Sequence, residues 1–168
     1  TTRDDGLLVL SGTLEPREVE ASSAAAALNR RSPVQGKANG RTEVSAQGRT
    51  AAELARSLRL RTAFRMAPAT VVRFDLNKAI RTFGLEHDGQ TALQSLTGTM
   101  DLQNTGDGTV LRFSGMEAKA DTFAATGEGT IFMRRIDAHG TLDLVHGLIG
   151  VPFTIRGTTQ KPRISVLG

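Results

Sequence analysis

Acid–base, nucleophilic or metal chemistry would have to come from few residues. The chain has three histidines, His87, His139 and His146, and no cysteine. Disulfides, thiolate metal sites and a cysteine nucleophile are therefore excluded. No His-Glu-x-x-His occurs, and His139 and His146 lie an odd number of residues apart, so they cannot share one face of a strand. The run Asp101-Leu-Gln-Asn-Thr-Gly-Asp107 has the glycine of a calcium loop at Gly106. Its twelfth position, where a bidentate Glu belongs, is Arg112. Gly127-Glu-Gly129 and Gly106-Asp-Gly108 lack the third glycine and following helix of a phosphate-binding turn, and read as hairpin or strand glycines. No Gly-x-Ser-x-Gly elbow is present. Glu86-His87-Asp88, beside Gly89, reads as a solvated loop rather than an acid–base group. These residues point away from an enzyme, and neither a metal nor a cofactor is expected.

The charge balance is mild. Lys and Arg number 21 against 17 Asp and Glu, a formal surplus of +4, and most of the cations are Arg, whose high pKa inflates the isoelectric point. With seven Phe, no Trp and no Tyr, the chain lacks the stacking platforms of a single-strand binder, so nucleic acid is not an expected partner. At 168 residues and 39% hydrophobic composition it is expected to form one domain spanning 1–168. No apolar run approaches the ~20 residues of a membrane-spanning helix. The opening Thr1-Thr-Arg-Asp-Asp5 has no signal-peptide pattern, and a strand-like run, Leu7-Leu-Val-Leu10, follows at once. The chain therefore reads as an excised segment of a longer protein.

The elements that position these residues are mostly strands. From Leu58 to Met66, Leu58, Leu60, Thr62, Phe64 and Met66 alternate with Arg59, Arg61, Ala63 and Arg65, which predicts a strand with one wet face. Ala38–Ala46 repeats the pattern with smaller residues. Further strands are expected at 96–102, 109–117, 123–133, 136–145, 149–157 and 164–167, separated by turn signals such as Asn104-Thr-Gly-Asp-Gly108. Short spacings leave no room for parallel crossovers after residue 95, so this half predicts an antiparallel meander. Short helices are expected at Ser22–Asn29, at Thr50–Ser57, where Thr50 and Glu53 form a capping box, and at Asp75–Phe83, which ends at Gly84. Residues 85–91 read as a loop. The fold class is mainly β: a curled antiparallel sheet with two or three short helices.

A sheet with one apolar face must cover it with a second layer, with helices or with a ligand. The residues expected on that face are Leu58, Leu60, Phe64 and Met66 from one strand, Met100 and Leu102 from the next, then Leu111 and Phe113. Phe123, Ile131 and Met133 follow, with Leu142, Leu144, Phe153 and Ile155 completing the set. If the sheet curls like a taco, this face is an open groove for acyl chains; if a second layer closes it, the same residues are a sandwich core. Arg59, Arg61, Arg65 and Arg73 fall on or next to the polar face, either as solvated charges or as contacts for anionic head groups.

The order of segments carries a resemblance. A glycine-rich strand (Gly36 to Gly48) and the helix Ala51-Ala-Glu-Leu-Ala-Arg-Ser-Leu58 precede Val71-Val-Arg-Phe-Asp-Leu-Asn-Lys-Ala-Ile-Arg81. Then come Thr91-Ala-Leu-Gln-Ser-Leu-Thr-Gly-Thr-Met-Asp-Leu102, Gly127-Glu-Gly-Thr-Ile131, and a closing Gly150-Val-Pro-Phe-Thr-Ile-Arg-Gly-Thr-Thr-Gln-Lys-Pro-Arg-Ile164. From about residue 20 onward this resembles the C-terminal region of AsmA-like proteins of the Gram-negative envelope. Where the family usually has Gly-Ile ahead of its Asp-Leu turn, this chain has Arg73-Phe74 ahead of Asp75-Leu76. The resemblance implies a periplasmic segment held to the inner membrane by an N-terminal anchor outside the given sequence. It also implies a relation to inter-membrane lipid transport proteins of the TamB and YhdP type, with phospholipid or another acyl-chain ligand in a β-groove. The alternative it leaves open is an envelope scaffold that binds other envelope proteins through a sheet edge.

Overall fold

A computed structural model describes residues 6–23, 34–72, 89–145 and 149–166. The expected helix at Asp75–Phe83, most of the one at Ser22–Asn29, and Arg73 lie outside the described residues; Ala21–Ser23 is helical.

The molecule is built on one large antiparallel sheet. In chain order the strands are β1 (Leu8–Leu14), β2 (Val19–Glu20), β3 (Val34–Gln35), β4 (Lys37–Gly48), β5 (Arg59–Met66), β6 (Ala69–Val72), β7 (Gln90–Leu93), β8 (Ser95–Thr105), β9 (Gly108–Lys119), β10 (Phe123–Phe132), β11 (Arg135–Leu144), β12 (Val151–Thr158) and β13 (Pro162–Val166), and the helix α1 (Ala51–Ser57) lies between β4 and β5. The sheet runs β1-β4-β5-β8-β9-β10-β11-β12-β13, with β2 also on β4, and among the described residues its two end strands do not pair with each other. From β8 onward every strand pairs with its successor, as the short turn spacings require. The β5 register sets the face pattern: Leu60 opposes Leu102, Thr62 opposes Met100 and Met66 opposes Leu96, while Arg61 opposes Asp101 on the other side.

The expected open groove and closed sandwich meet part-way. A small second sheet, β3-β6-β7, folds over one end of the apolar face. Ala69, Thr91 and Leu93 are buried there, and Ala69 and Leu93 join Met66, Leu96, Phe123 and Leu142 in the hydrophobic core. Phe123 and Leu142 are only 2% and 1% exposed. At the other end α1 lies over Gly48. A Cβ on that glycine would stand 2.5 Å from Glu53 Cβ and 2.8 Å from Leu54 N, so no side chain fits beneath the helix. Thr50 Oγ1 accepts from the Glu53 amide at 3.1 Å, the N-cap bond expected from the sequence, and the Glu53 carboxylate accepts from the Arg49 amide, one residue before the Thr50 amide of a standard capping box. Asn104 Nδ2 donates to Ala55 O at 2.7 Å and ties the helix to β8.

The small sheet corrects the sequence reading, which placed a loop at 85–91; Gln90 and Thr91 belong to β7. The strand expected over 109–117 is present as β9, with one irregularity that the sequence reading did not foresee. A bulge at Ser114-Gly115-Met116 shifts the register against both β8 and β10. Gly115 takes a left-handed φ of 57°. The extra residue turns Met116 and Ala118 to the same face as Leu111 and Phe113, where strict alternation would have placed Glu117.

Candidate functional site

Between the small sheet and the far turns, the apolar face opens into a groove of about 280 Å³, near the lower end of the size range of ligand pockets. Its depth comes from missing side chains. In the middle of β10 and β11 the inward positions are Ala125, Gly127 and Gly129, facing Leu142, Gly140 and Ala138. Phe113 and Met116 on β9 stand on one side of this floor, and Phe153 and Ile155 on β12 on the other. The Phe153 ring leans over Gly140, where a Cβ would lie 2.9 Å from its Cζ. Buried Phe123, Leu93 and Thr91 close one end. The opposite end is lined by half-buried Ile131 and Ile136, which face each other across β10 and β11.

The opposite face of the sheet is polar. Glu43, Arg61, Asp101 and Arg112 follow one another across β4, β5, β8 and β9, so unlike charges are neighbours. Arg59 reaches diagonally to Asp101, its Nε and Nη2 donating at 3.1 and 2.6 Å. That hydrogen bond, helped by the positive fields of Arg59, Arg61 and Arg112, holds the Asp101 carboxyl below the usual range against a smaller opposing effect of burial. A shallow cleft of about 420 Å³ lies on this face, lined among others by Arg61, Asp101, Arg112, Glu128 and His139. Its charges alternate in sign, and His139 Nε2 is already engaged with Glu128 Oε1 at 2.9 Å. The expected solvated polar face describes it adequately. Among the described residues no group of three or more His, Asp or Glu side chains could hold a metal ion, and no helix is long and apolar enough to cross a membrane.

Five of the residues expected on the apolar face line the groove: Phe113, Phe123, Ile131, Phe153 and Ile155. Met66, Leu102, Leu111 and Leu142 are buried beside it, in packing rather than in the cavity wall. Leu60, Phe64, Met100 and Leu144 are half-buried outside the cavity. Leu58 caps the C-terminus of α1 instead of joining β5. Met133 is corrected: β10 ends at Phe132, and Met133 sits in the following turn with φ 57° and 60% exposure. Sequence reasoning missed Met116, the Gly/Ala floor and the lid residues Val71, Thr91 and Leu93. The β-branched run Thr70-Val71-Val72 is the signal that could have revealed the lid.

Set beside known protein families, curated proteins and solved structures, the chain matches none.

Proposed function

We propose that the chain is a non-enzymatic lipid-binding module that holds one acyl chain in its groove. In this reading it belongs to the AsmA-like group, works in the periplasm attached to the inner membrane through a segment outside the sequence, and serves phospholipid transfer during outer-membrane biogenesis. The observation that carries the reading is the hydrocarbon groove left unfilled over the Gly/Ala floor of β10 and β11. An acyl chain lying there gains about 0.8 kcal/mol for each methylene removed from water, while a polar head group remains outside. The open end at Ile131 and Ile136 supplies an exit for that head group. Native mass spectrometry of the chain purified from Gram-negative cells tests this. The expected result is a protein peak carrying a lipid-sized adduct; bare protein only, under conditions that preserve a known lipid carrier, refutes it.

One observation favours a second reading, the envelope scaffold. Among the described residues β1 is the last strand of the sheet, it carries no charged residue or proline, and it exposes Leu10 (49%) and Leu14 (61%). Most natural edges are blunted by such residues. A partner strand added there would be lost on Thr13→Pro substitution and untouched by changes in the groove.

A further inference from the structure

The end of the sheet beyond Ile131 and Ile136 is rich in cations, Arg135, Arg156 and Arg163 among them on the face opposite the groove. It lies between two hairpin ends, the β10–β11 turn and the β12–β13 turn, which the Thr159 amide joins by donating to Arg134 O at 2.8 Å. Residues 131–137 and 155–164 together hold Arg134, Arg135, Arg156, Lys161 and Arg163 against Asp137, and the β8–β9 turn beside Met133 adds Asp107, which leaves a surplus of three positive charges at this end. Asp137 is shared only loosely with Arg156, at 3.8 Å, and none of the other four cations is ion-paired with a described residue. Beside them Met133 projects at 60% exposure. At the closed end, the β9–β10 turn region carries both Lys119 and Asp121, and Asp143 accepts from the Gly150 amide at 2.6 Å, so no comparable surplus builds up there.

We infer that this end of the molecule docks on an anionic phospholipid bilayer, with Arg134, Arg135 and Lys161 at the phosphate level and Met133 dipping into the interface. Cations flanking an exposed unbranched apolar side chain suit a surface that is negative outside and hydrocarbon within. The groove mouth at Ile131 and Ile136 then meets the bilayer at the depth where acyl chains begin. The inference rests on the acyl-chain reading of the groove, because only a groove that accepts lipid gives the docking a purpose.

Flotation with vesicles tests it, using phosphatidylglycerol mixed into phosphatidylcholine and phosphatidylcholine alone. The chain is expected to float with the anionic vesicles, to detach as salt rises, and to ignore the neutral ones. The triple variant Arg134→Gln, Arg135→Gln, Lys161→Gln is expected to bind the anionic vesicles about a hundredfold more weakly, at roughly fivefold per charge. Equal binding to both vesicles, or an unchanged triple variant, overturns the docking. Uptake of a fluorescent polyene fatty acid is measured on the same samples. The triple variant is expected to keep that uptake, which shows that it is folded. A native chain that takes up no fatty acid sinks the groove reading, whatever the vesicles report.

Discussion

Ala138 separates an open groove from a sealed core more cleanly than any other position. It lies on the floor of the groove, half-buried, with Gly129 directly opposite. In Ala138→Phe the new ring lies along the floor over Gly129. It displaces about four or five methylenes of a bound chain, which at about 0.8 kcal/mol each is a loss of about 3–4 kcal/mol, or two to three orders of magnitude in Kd. The fold is expected to tolerate the change to within about 1 kcal/mol, because the ring enters unfilled space in a groove of about 280 Å³. In a closed core the same substitution overpacks and costs about 1–3 kcal/mol. Fluorescent fatty-acid titration and urea unfolding, run on both proteins, read the two quantities separately. Unchanged affinity together with a clear drop in the unfolding midpoint would refute the groove.

Three further outcomes follow from the packing and the charges. Phe123→Ala, which empties the most enclosed aromatic site, is expected to cost about 3–5 kcal/mol in urea unfolding, with the loss centred on the junction between the two sheets. Asp101 has a lowered pKa in the folded chain, so its stabilising contribution is complete above the ordinary carboxylate value near 4 and drains away as pH falls through the depressed one. Asp101→Asn is therefore expected to flatten that part of the acid limb of a stability–pH curve while leaving its neutral shape unchanged. Thr50→Ala removes the cap of α1 and is expected to cost about 1 kcal/mol, with faster amide exchange at Glu53 and Leu54 as the local readout.

Much of the main sheet was legible because its signals are local. Alternation from Leu58 to Met66 fixes a face, turn signals such as Asn104–Gly108 and Thr158–Pro162 mark hairpins, and Thr50 with Glu53 fixes α1. The site was less legible, for two physical reasons. A groove is an absence: sequence reading searched for large apolar residues, whereas Ala125, Gly127, Gly129 and Ala138 make the space by lacking bulk. The bulge at Gly115 also breaks period two, so Met116 could be placed only by noticing that Phe113 and Met116 stand three apart across a glycine. Met133 went astray because alternation says nothing about where a strand ends. The lid lay in short strands whose partners are remote in sequence, as with Val34 and Val71, and such pairing leaves no periodic trace.

The order of the strands has a consequence for refolding. From β8 to β13 each strand waits only for the next few residues to be released, whereas β5 finds β8 only after the chain has made its detour through β6 and β7. Low contact order favours early pairing, so amides of β9–β12 should gain protection before those of β1, β4 and β5. The stretch that holds floor and walls is thus the one that can assemble from neighbours alone, and the lid and the first third of the sheet join a scaffold that already exists.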